Sequence, residues 1–122
     1  MAATTLTPQV VPGFNTGLLS TTLVAPDAVN GNAFNNDGRT ALLVVNASAS
    51  PITITWTLPP SPRNANGNFG TTQVQTVPAS KTAVLGFLDP GTYNNSSGVA
   101  TFTASTATSV TVAACQFLPS AL

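Results

Sequence analysis

Charge is the scarcest feature of this sequence of 122 residues. Only 5% of the residues are charged, whereas about 25% is usual in a globular domain. Three acids and three bases give a formal net charge of zero, and the chain has no histidine and no glutamate. Threonine, asparagine and serine stand in place of charged residues and make up about a third of the chain. The surface of the folded protein must therefore be largely neutral.

These absences exclude several classes of function. Binding to a nucleic-acid backbone requires several lysines or arginines to neutralise phosphates, and three scattered bases are too few. General acid–base catalysis near neutral pH most often uses histidine, and a zinc site needs clustered cysteine and histidine. We therefore expect no enzymatic activity, no cofactor, no metal site and no nucleic-acid partner.

The sequence also has few features of secreted or membrane proteins. No apolar run approaches the ~18 residues of a membrane-spanning helix. Residues 1–5 lack the basic patch and apolar stretch of a signal peptide. Cys115 has no second cysteine in the chain with which to form a disulfide, in keeping with a reducing compartment. We expect no membrane partner and synthesis in a cytoplasm-like compartment.

What the chain does contain is apolar residues in strand-like blocks. Hydrophobic residues are 43% of the sequence and the mean hydropathy is positive, which argues against disorder. In the clearest block, 51–59, Ile52, Ile54, Trp56 and Leu58 alternate with threonines between flanking prolines. Strict period two is typical of a strand with one buried face. Trp56 is therefore expected in the core rather than on a sugar-binding surface.

Similar alternation, interrupted by turn residues at intervals of about 8–12 positions, predicts an all-β fold. In this interpretation Phe102 faces the core and Gly86 is a candidate β-bulge. The predicted strands cover 6–11, 18–24, 40–45, 51–59, 72–77, 82–88, 99–104 and 109–117.

The connections and domain limits follow from these strands. Segment 46–50 is expected to join its two flanking strands as a hairpin. Segment 30–38 is expected to be a long polar loop that carries Phe34. We expect a single-domain antiparallel β-sandwich, jelly-roll or immunoglobulin-like, over residues 18–122. An extended N-terminal arm over residues 1–17 is expected to precede it.

The three carboxylates are interpreted as turn residues. Asp27, Asp37 and Asp89 each lie close to glycine, proline or asparagine. Aspartate is common there because its side chain accepts hydrogen bonds from nearby backbone amides. A glycosidase would need two carboxylates facing each other. A calcium loop at 35–38 would need several carboxylates at fixed spacing, and that segment has one.

Two further features have a plain explanation. Cys115 lies on a predicted strand, and without a histidine to form its thiolate it is expected to be a small core residue rather than a nucleophile. The tripeptides that begin at Asn46 and Asn95 match the N-glycosylation pattern. In a chain this rich in serine and asparagine, a chance match is the expected explanation.

The neutral surface itself favours association. Soluble proteins usually carry mixed charges that keep them apart, and a net charge near zero promotes contact. A coat of threonine, serine and asparagine between valine and alanine suits a protein that is packed against other subunits.

Five short motifs carry the clearest resemblance to a known family. They are NGNAFNNDGRTALLVVN at 30–46, SPITIT at 50–55, VPASKT at 77–82, FLDPGTYN at 87–94 and VTVAA at 110–114. With them the chain resembles small structural proteins encoded close to the major capsid gene in tailed bacteriophages. The resemblance covers about residues 27–117. The chain departs from the family in having almost no charge in its loops.

The resemblance implies a capsid decoration (cement) protein, a β-sandwich that binds the outer surface of the expanded head and stabilises it. The expected partners are the major capsid protein and further copies of the chain in a homotrimer. The expected location is the capsid exterior of the virion, after assembly in the host cytoplasm. Two alternatives stay open: a tail or head-fibre component, and a carbohydrate-binding or adhesin module that would use Trp56, Tyr93 and the asparagine-rich loops.

The N-terminal arm is the predicted docking element, because it is uncharged and could add a strand to a neighbouring chain. Ordering an isolated arm costs about 1–2 kcal/mol per residue, so its order is expected to depend partly on that neighbour. Deleting 2–12 is then expected to leave a folded domain that binds capsids poorly. The alternative is an ordinary edge strand of the same sandwich. The predicted partner-binding residues are Thr4, Leu6, Pro8, Val10 and Val11.

Overall fold

Period-two alternation in the sequence becomes nine β-strands and one four-residue helix in the structure, a computed structural model that describes residues 3–11, 23–58, 72–86, 88–95 and 97–117. In chain order the elements are β1 (Thr4–Thr5), β2 (Gln9–Val11), β3 (Asn32–Asn35), β4 (Thr40–Asn46), β5 (Ile52–Thr57), β6 (Thr72–Val77), β7 (Thr82–Leu85), α1 (Pro90–Tyr93), β8 (Val99–Ala104) and β9 (Val110–Phe117).

The strands form two sheets that pack against each other. One sheet has five strands in the order β1-β3-β8-β5-β6, and the other has four in the order β2-β9-β4-β7. The predicted all-β sandwich is confirmed. Most described pairs are antiparallel as predicted, but β1 pairs with β3, and β2 with β9, in parallel. Period two determines which face of a strand is buried and leaves the direction of its neighbour open.

An aromatic cluster fills the space between the sheets. The Trp56 ring centroid lies 5.3 Å from that of Phe102 and 6.1 Å from that of Phe34, separations at which aromatic pairs attract. A buried indole N–H also needs a partner, and Trp56 Nε1 donates to Gln75 Oε1 at 2.6 Å. Trp56 is 1% exposed. The predictions that place Trp56 and Phe102 in the core are confirmed.

The predicted hairpin between β4 and β5 is wrong. β4 pairs with β7 and β9, whereas β5 pairs with β6 and β8, so the connection crosses from one sheet to the other. Asn46 organises this crossing, because its Nδ2 donates to the backbone oxygens of Ser50, Val77 and Pro78 at 2.9–3.1 Å. Both strands have buried faces, and an apolar pattern cannot distinguish pairing side by side from packing across the core.

Two segments near the N-terminus also differ from the prediction. The predicted strand 6–11 is interrupted, since the chain leaves β1 after Thr5 and enters β2 in the other sheet at Gln9. Pro8 lies just before β2 and has no N–H to contribute to a ladder. The predicted polar loop 30–38 contains β3, which pairs with β8 and fully buries Phe34. Asparagines on both sides of Phe34 interrupt the alternation of apolar residues, so the hydrophobic pattern does not predict this strand.

Other boundaries differ less. Of the predicted strand 18–24, only the last two residues are described, and Val24 forms an isolated antiparallel bridge with Val112. β7 ends before residue 88 because Gly86 takes a φ of +138° and lies against β4, a conformation open mainly to glycine. A Cβ at this position would lie 3.0 Å from Ala41 Cα. The sandwich begins at β1, and the arm boundary predicted at residue 17 lies outside the described residues.

Candidate functional site

The outer face of the five-stranded sheet is made mostly of threonine over three of its strands, β8, β5 and β6. On β5 the residues that do not face the core are threonines, and the registers place them beside outward-facing residues of β8 and β6. All are exposed or half-buried. We call this surface the threonine face; it consists of Thr53, Thr55, Thr57, Thr72, Val74, Thr76, Thr101 and Thr103.

The strand registers arrange these side chains in rows. Thr57 lies between Thr101 and Thr72, and in the next row Thr55 lies between Thr103 and Val74. Neighbours in a row are about 4.7–4.9 Å apart, and successive rows are about 6.4–6.8 Å apart. No member of the face is charged. The face therefore offers a regular array of hydroxyl and methyl groups, which suits contact with another neutral surface rather than attraction of a charged ligand.

The first of the predicted partner-binding residues are built into this same sheet. Thr4 lies in β1, where its N–H donates to Gly31 O at 2.9 Å. The Leu6 N–H donates to Ala33 O at 2.7 Å. The side chain of Leu6 is 7% exposed and packs in the core between the sheets. Leu6 is thus part of the hydrophobic core rather than of a surface that a second chain could contact.

The remaining predicted partner-binding residues lie in or beside β2. Pro8 is half-buried, and Val10 and Val11 pair in parallel with Gln116 and Phe117 of β9. The described part of the predicted arm thus forms edge strands of the same sandwich, and its binding to another chain stays a prediction. Deletion of 2–12 would remove the core side chain of Leu6 together with both β1 and β2, so it would not separate docking from folding.

Asp27 is the turn residue that the sequence predicts, and it also fastens β1. Its Oδ1 accepts from the backbone N–H groups of Val29 and Asn30, and its Oδ2 accepts from the Thr4 hydroxyl at 2.7 Å. The Asn30 N–H and then the Thr4 hydroxyl are the largest causes that lower the pKa of Asp27 from 3.8 to about 2. Buried Asn32 adds two hydrogen bonds, accepting from Asp27 N and donating to Thr4 O. We call this group of hydrogen bonds around Asp27, Asn32 and Thr4 the Asp27 corner.

The other two carboxylates also lie at connections. Asp37 Oδ2 accepts from Gln116 Nε2 at 2.6 Å and its Oδ1 from Arg39 N at 2.8 Å. The Gln116 hydrogen bond is the main cause that lowers the pKa of Asp37. Asp89 Oδ2 accepts from the Thr92 hydroxyl at the start of α1. Within the described ranges, no three histidine, cysteine or acidic residues are grouped so that they could hold a metal ion.

Cys115 and the two glycosylation patterns lie in different surroundings. Cys115 is buried, as the prediction of a small core residue requires. It packs beside Ala113 and Leu43 in a small cluster on the side of the four-stranded sheet that faces away from the aromatic cluster. Asn46 is also buried, and its Nδ2, the atom that a glycan would modify, donates three hydrogen bonds. Asn95 is exposed, and its Oδ1 accepts from the Val99 N–H.

The aromatic platform of the carbohydrate-binding alternative is not formed by Trp56. Its ring is buried, and half-buried Tyr93 packs edge-on against it at a centroid distance of 6.1 Å. Among the described side chains, the exposed large hydrophobic residues are all aliphatic. No helix in the described part of the chain has the length and apolar character needed to cross a membrane.

No protein-family model, curated protein or solved structure matches this chain.

The threonine face was not singled out from the sequence, although part of its signal is there. The alternation of Thr53, Thr55 and Thr57 with apolar residues already predicts one hydroxylated face on β5. The missing information was the strand order, which brings residues of β6 and β8 alongside. Outward-facing threonines in separate period-two segments could have indicated such a face.

Proposed function

We propose that the chain is a structural protein of a tailed-bacteriophage virion, a decoration protein that binds the outer surface of the head and stabilises the shell. In this role it catalyses no reaction and needs no cofactor. Its partners are the major capsid protein and further copies of itself in a homotrimer. The threonine face is the observation that carries this proposal, together with the family resemblance of residues 27–117.

A neutral, regular face is well suited to a permanent contact with a protein shell. Burying a charged group costs several kcal/mol unless it is paired, and the threonine face has no charged group to bury. Threonine methyl groups gain from burial, while the hydroxyls can donate and accept hydrogen bonds. No member of the face is a charged or basic group that could activate a threonine hydroxyl as a nucleophile.

The scaffold behind the face supports the same role. The aromatic cluster around Trp56 packs directly under β5 and β8. Buried Asn46 and the Asp27 corner hold the connections by side-chain hydrogen bonds. A surface that is ordered before binding loses less conformational entropy on contact. Modest contacts repeated over neighbouring capsomers add up through multivalency to resist internal genome pressure.

The proposal is tested by binding of the purified full chain to capsid shells that lack it. We expect Thr57→Lys and Thr103→Lys, both on exposed positions of the threonine face, to weaken shell binding by about tenfold or more, because each buries an unpaired charge. The matched control is Thr108→Lys, an exposed position in the turn before β9, which should bind like the unmodified chain. Equal binding by all three variants would contradict the role of the face.

Image reconstruction of the particle tests the location. Copies on the capsomers of the head support the decoration role. Copies confined to the portal, tail or fibres would replace it by the tail or head-fibre alternative. The carbohydrate-binding alternative has lost its main support because Trp56 is buried.

A further inference from the structure

The outer edge of β6 has no strand partner among the described residues, since β6 is the last strand of its sheet. The direction of the backbone groups follows from the neighbouring strands. Ser105 N donates to Thr53 O at 2.9 Å, so Thr53 directs its backbone groups toward β8. In an antiparallel sheet the intervening residues of β5, such as Ile54, direct theirs toward the other neighbour, β6.

The register between β5 and β6 then assigns each residue of the edge. Gln73 and Gln75 lie opposite Trp56 and Ile54 and use their N–H and C=O groups on β5. The alternate residues direct theirs away from the sheet; these are Thr72, Val74 and Thr76. Three donors and three acceptors thus line an edge that carries no charge, no proline and no bulge, the devices by which natural edges avoid pairing.

The sequence of this edge reads the same in both directions. Residues 72–76 are Thr-Gln-Val-Gln-Thr. If two copies pair antiparallel about Val74, each residue meets an identical one: valine opposite valine, threonine opposite threonine and glutamine opposite glutamine. In this register the residues that direct their N–H and C=O groups outward are those that exchange hydrogen bonds.

We propose that two copies of the chain associate through β6, by antiparallel strand pairing centred on Val74. The two five-stranded sheets then join into one continuous sheet across a two-fold axis. The palindrome identifies the occupant, because self-complementarity serves a second copy and has no value for an unrelated strand. The absence of charge from 72–77 allows identical edges to meet without repulsion. Val74, which is 59% exposed in the single chain, gains a cross-strand valine contact.

This contact is small and belongs with transient interfaces rather than permanent ones. We expect weak, concentration-dependent association in free solution, and stronger association where many copies are held close together. The inference does not rest on the proposed function, because it is tested on the free protein. On a shell, the two-fold contact would add to the three-fold contact of a homotrimer and link neighbouring trimers.

Sedimentation velocity over a concentration series of the full chain measures the association. Val74→Pro removes an outward N–H from each copy without affecting the β5–β6 ladder, so the fold is retained. We expect it to raise the dissociation constant by about tenfold or more, because two symmetric hydrogen bonds are lost. Val74→Ala keeps the N–H and is the matched control, expected to stay much closer to the unmodified chain. Denaturant unfolding of both variants confirms that each is folded.

Charge pairs test the register independently of proline. Thr72→Lys/Thr76→Lys in one chain places like charges opposite each other in the proposed register, and so does Thr72→Asp/Thr76→Asp. Each double variant alone should be monomeric, whereas a mixture of the two should associate, because every lysine then faces an aspartate. Both positions are exposed in the single chain, so folding should be preserved.

Three results would overturn the proposal. One is a Val74→Pro variant that associates as tightly as Val74→Ala. Another is an unmodified chain that stays monomeric at every concentration. The third is protection of the Thr72, Val74 and Thr76 amides from hydrogen exchange at high dilution, since the edge would then be covered by the chain itself. Protection that rises with concentration supports pairing between copies.

Discussion

The N-terminal side of the sandwich and the side formed by β6 and β7 both end in edge strands, but the edges differ in length and in how they are held. The N-terminal edges are β1 and β2, of two and three residues. Buried Leu6 lies between them, and the Asp27 corner fastens β1. β6 and β7 have six and four residues. Their outward-facing Val74 and Val84 are 59% and 61% exposed.

The difference shows two ways of ending a sheet. On the N-terminal side, the chain covers the longer strands β3 and β9 with short strands of its own. On the β6–β7 side, no described strand pairs with the outer edges, and the valine side chains of Val74 and Val84 are exposed. Protecting one side and leaving the other uncovered suits a protein that makes directed contacts and does not polymerise from both edges.

The largest effect is expected from proline on β7. Asn46 N donates to Lys81 O, so Ala83, which pairs with Val44, directs its N–H toward β4, whereas Val84 directs its N–H outward. Ala83→Pro should lower the free energy of unfolding by about 2–3 kcal/mol. Val84→Pro should change it by less than about 1 kcal/mol. Urea unfolding measures both, and equal losses would show that the outward groups of β7 are needed for folding.

Truncation of an aliphatic side chain on each side should give unequal losses. Leu6→Ala removes a core contact of the N-terminal side and should cost about 2 kcal/mol. Val84→Ala, on the exposed β6–β7 side, should change the free energy of unfolding by no more than about 0.5 kcal/mol. Thermal unfolding of both variants is the measurement. If Leu6→Ala is as mild as Val84→Ala, the N-terminal segment is not anchored by Leu6.

The Asp27 corner can be loosened through Asn32. Asn32→Ala leaves Asp27 N and Thr4 O without their side-chain partner and should cost about 1–2 kcal/mol. Its matched control is Asn35→Ala on the same strand, an exposed position that should change stability by no more than about 0.5 kcal/mol. Hydrogen exchange should show faster opening at β1 in the Asn32 variant alone. Unchanged exchange there would argue that the corner does not hold the strand.

The smallest change in the free energy of unfolding is expected from lowering the pH. Hydrogen bonds lower the pKa of Asp27 and Asp37 in the folded chain, so the folded state binds fewer protons than the unfolded state. Their contribution to stability is present above 3.8, the ordinary pKa, and for Asp27 it is lost as the pH falls from there to about 2. Urea unfolding at a series of pH values should show a shallower acid loss in Asp27→Asn. An identical slope in that variant would contradict the assignment.

Much of the sandwich could be predicted from its central strands. The alternation around Trp56 and Phe102 predicts both the strands and their buried faces, because one face of each packs in the core. Two wrong predictions, the β4–β5 hairpin and the polar loop at 30–38, share a cause: the structure of both segments depends on contacts between residues far apart in the sequence. The crossing after β4 depends on hydrogen bonds from Asn46 to residues about thirty positions away. β3 depends on its pairing with β1 and β8, which are also distant in the sequence.

The candidate surfaces could be predicted less well than the core. The neutral composition indicates an associating surface, but the threonine face depends on strand order and the β6 edge depends on which strand ends the sheet. The predicted docking residues show the same limit. The sequence predicts Leu6 and Val10 as part of a docking arm, whereas in the structure Leu6, between β1 and β2, packs in the core and Val10 lies on β2; their binding to another chain stays a prediction.

The parallel pairing of β2 with β9 has a mechanical consequence. A strand near the start of the chain runs beside the last described strand, and both point the same way. Tension on the N-terminal end first reaches the two-residue strand β1. Once β1 is released, the tension acts along β2 and β9 and loads their hydrogen bonds in shear, all together, instead of opening them one after another. In single-molecule force spectroscopy with the protein pulled from its two ends, the highest unfolding force is therefore expected when the β2–β9 pair breaks.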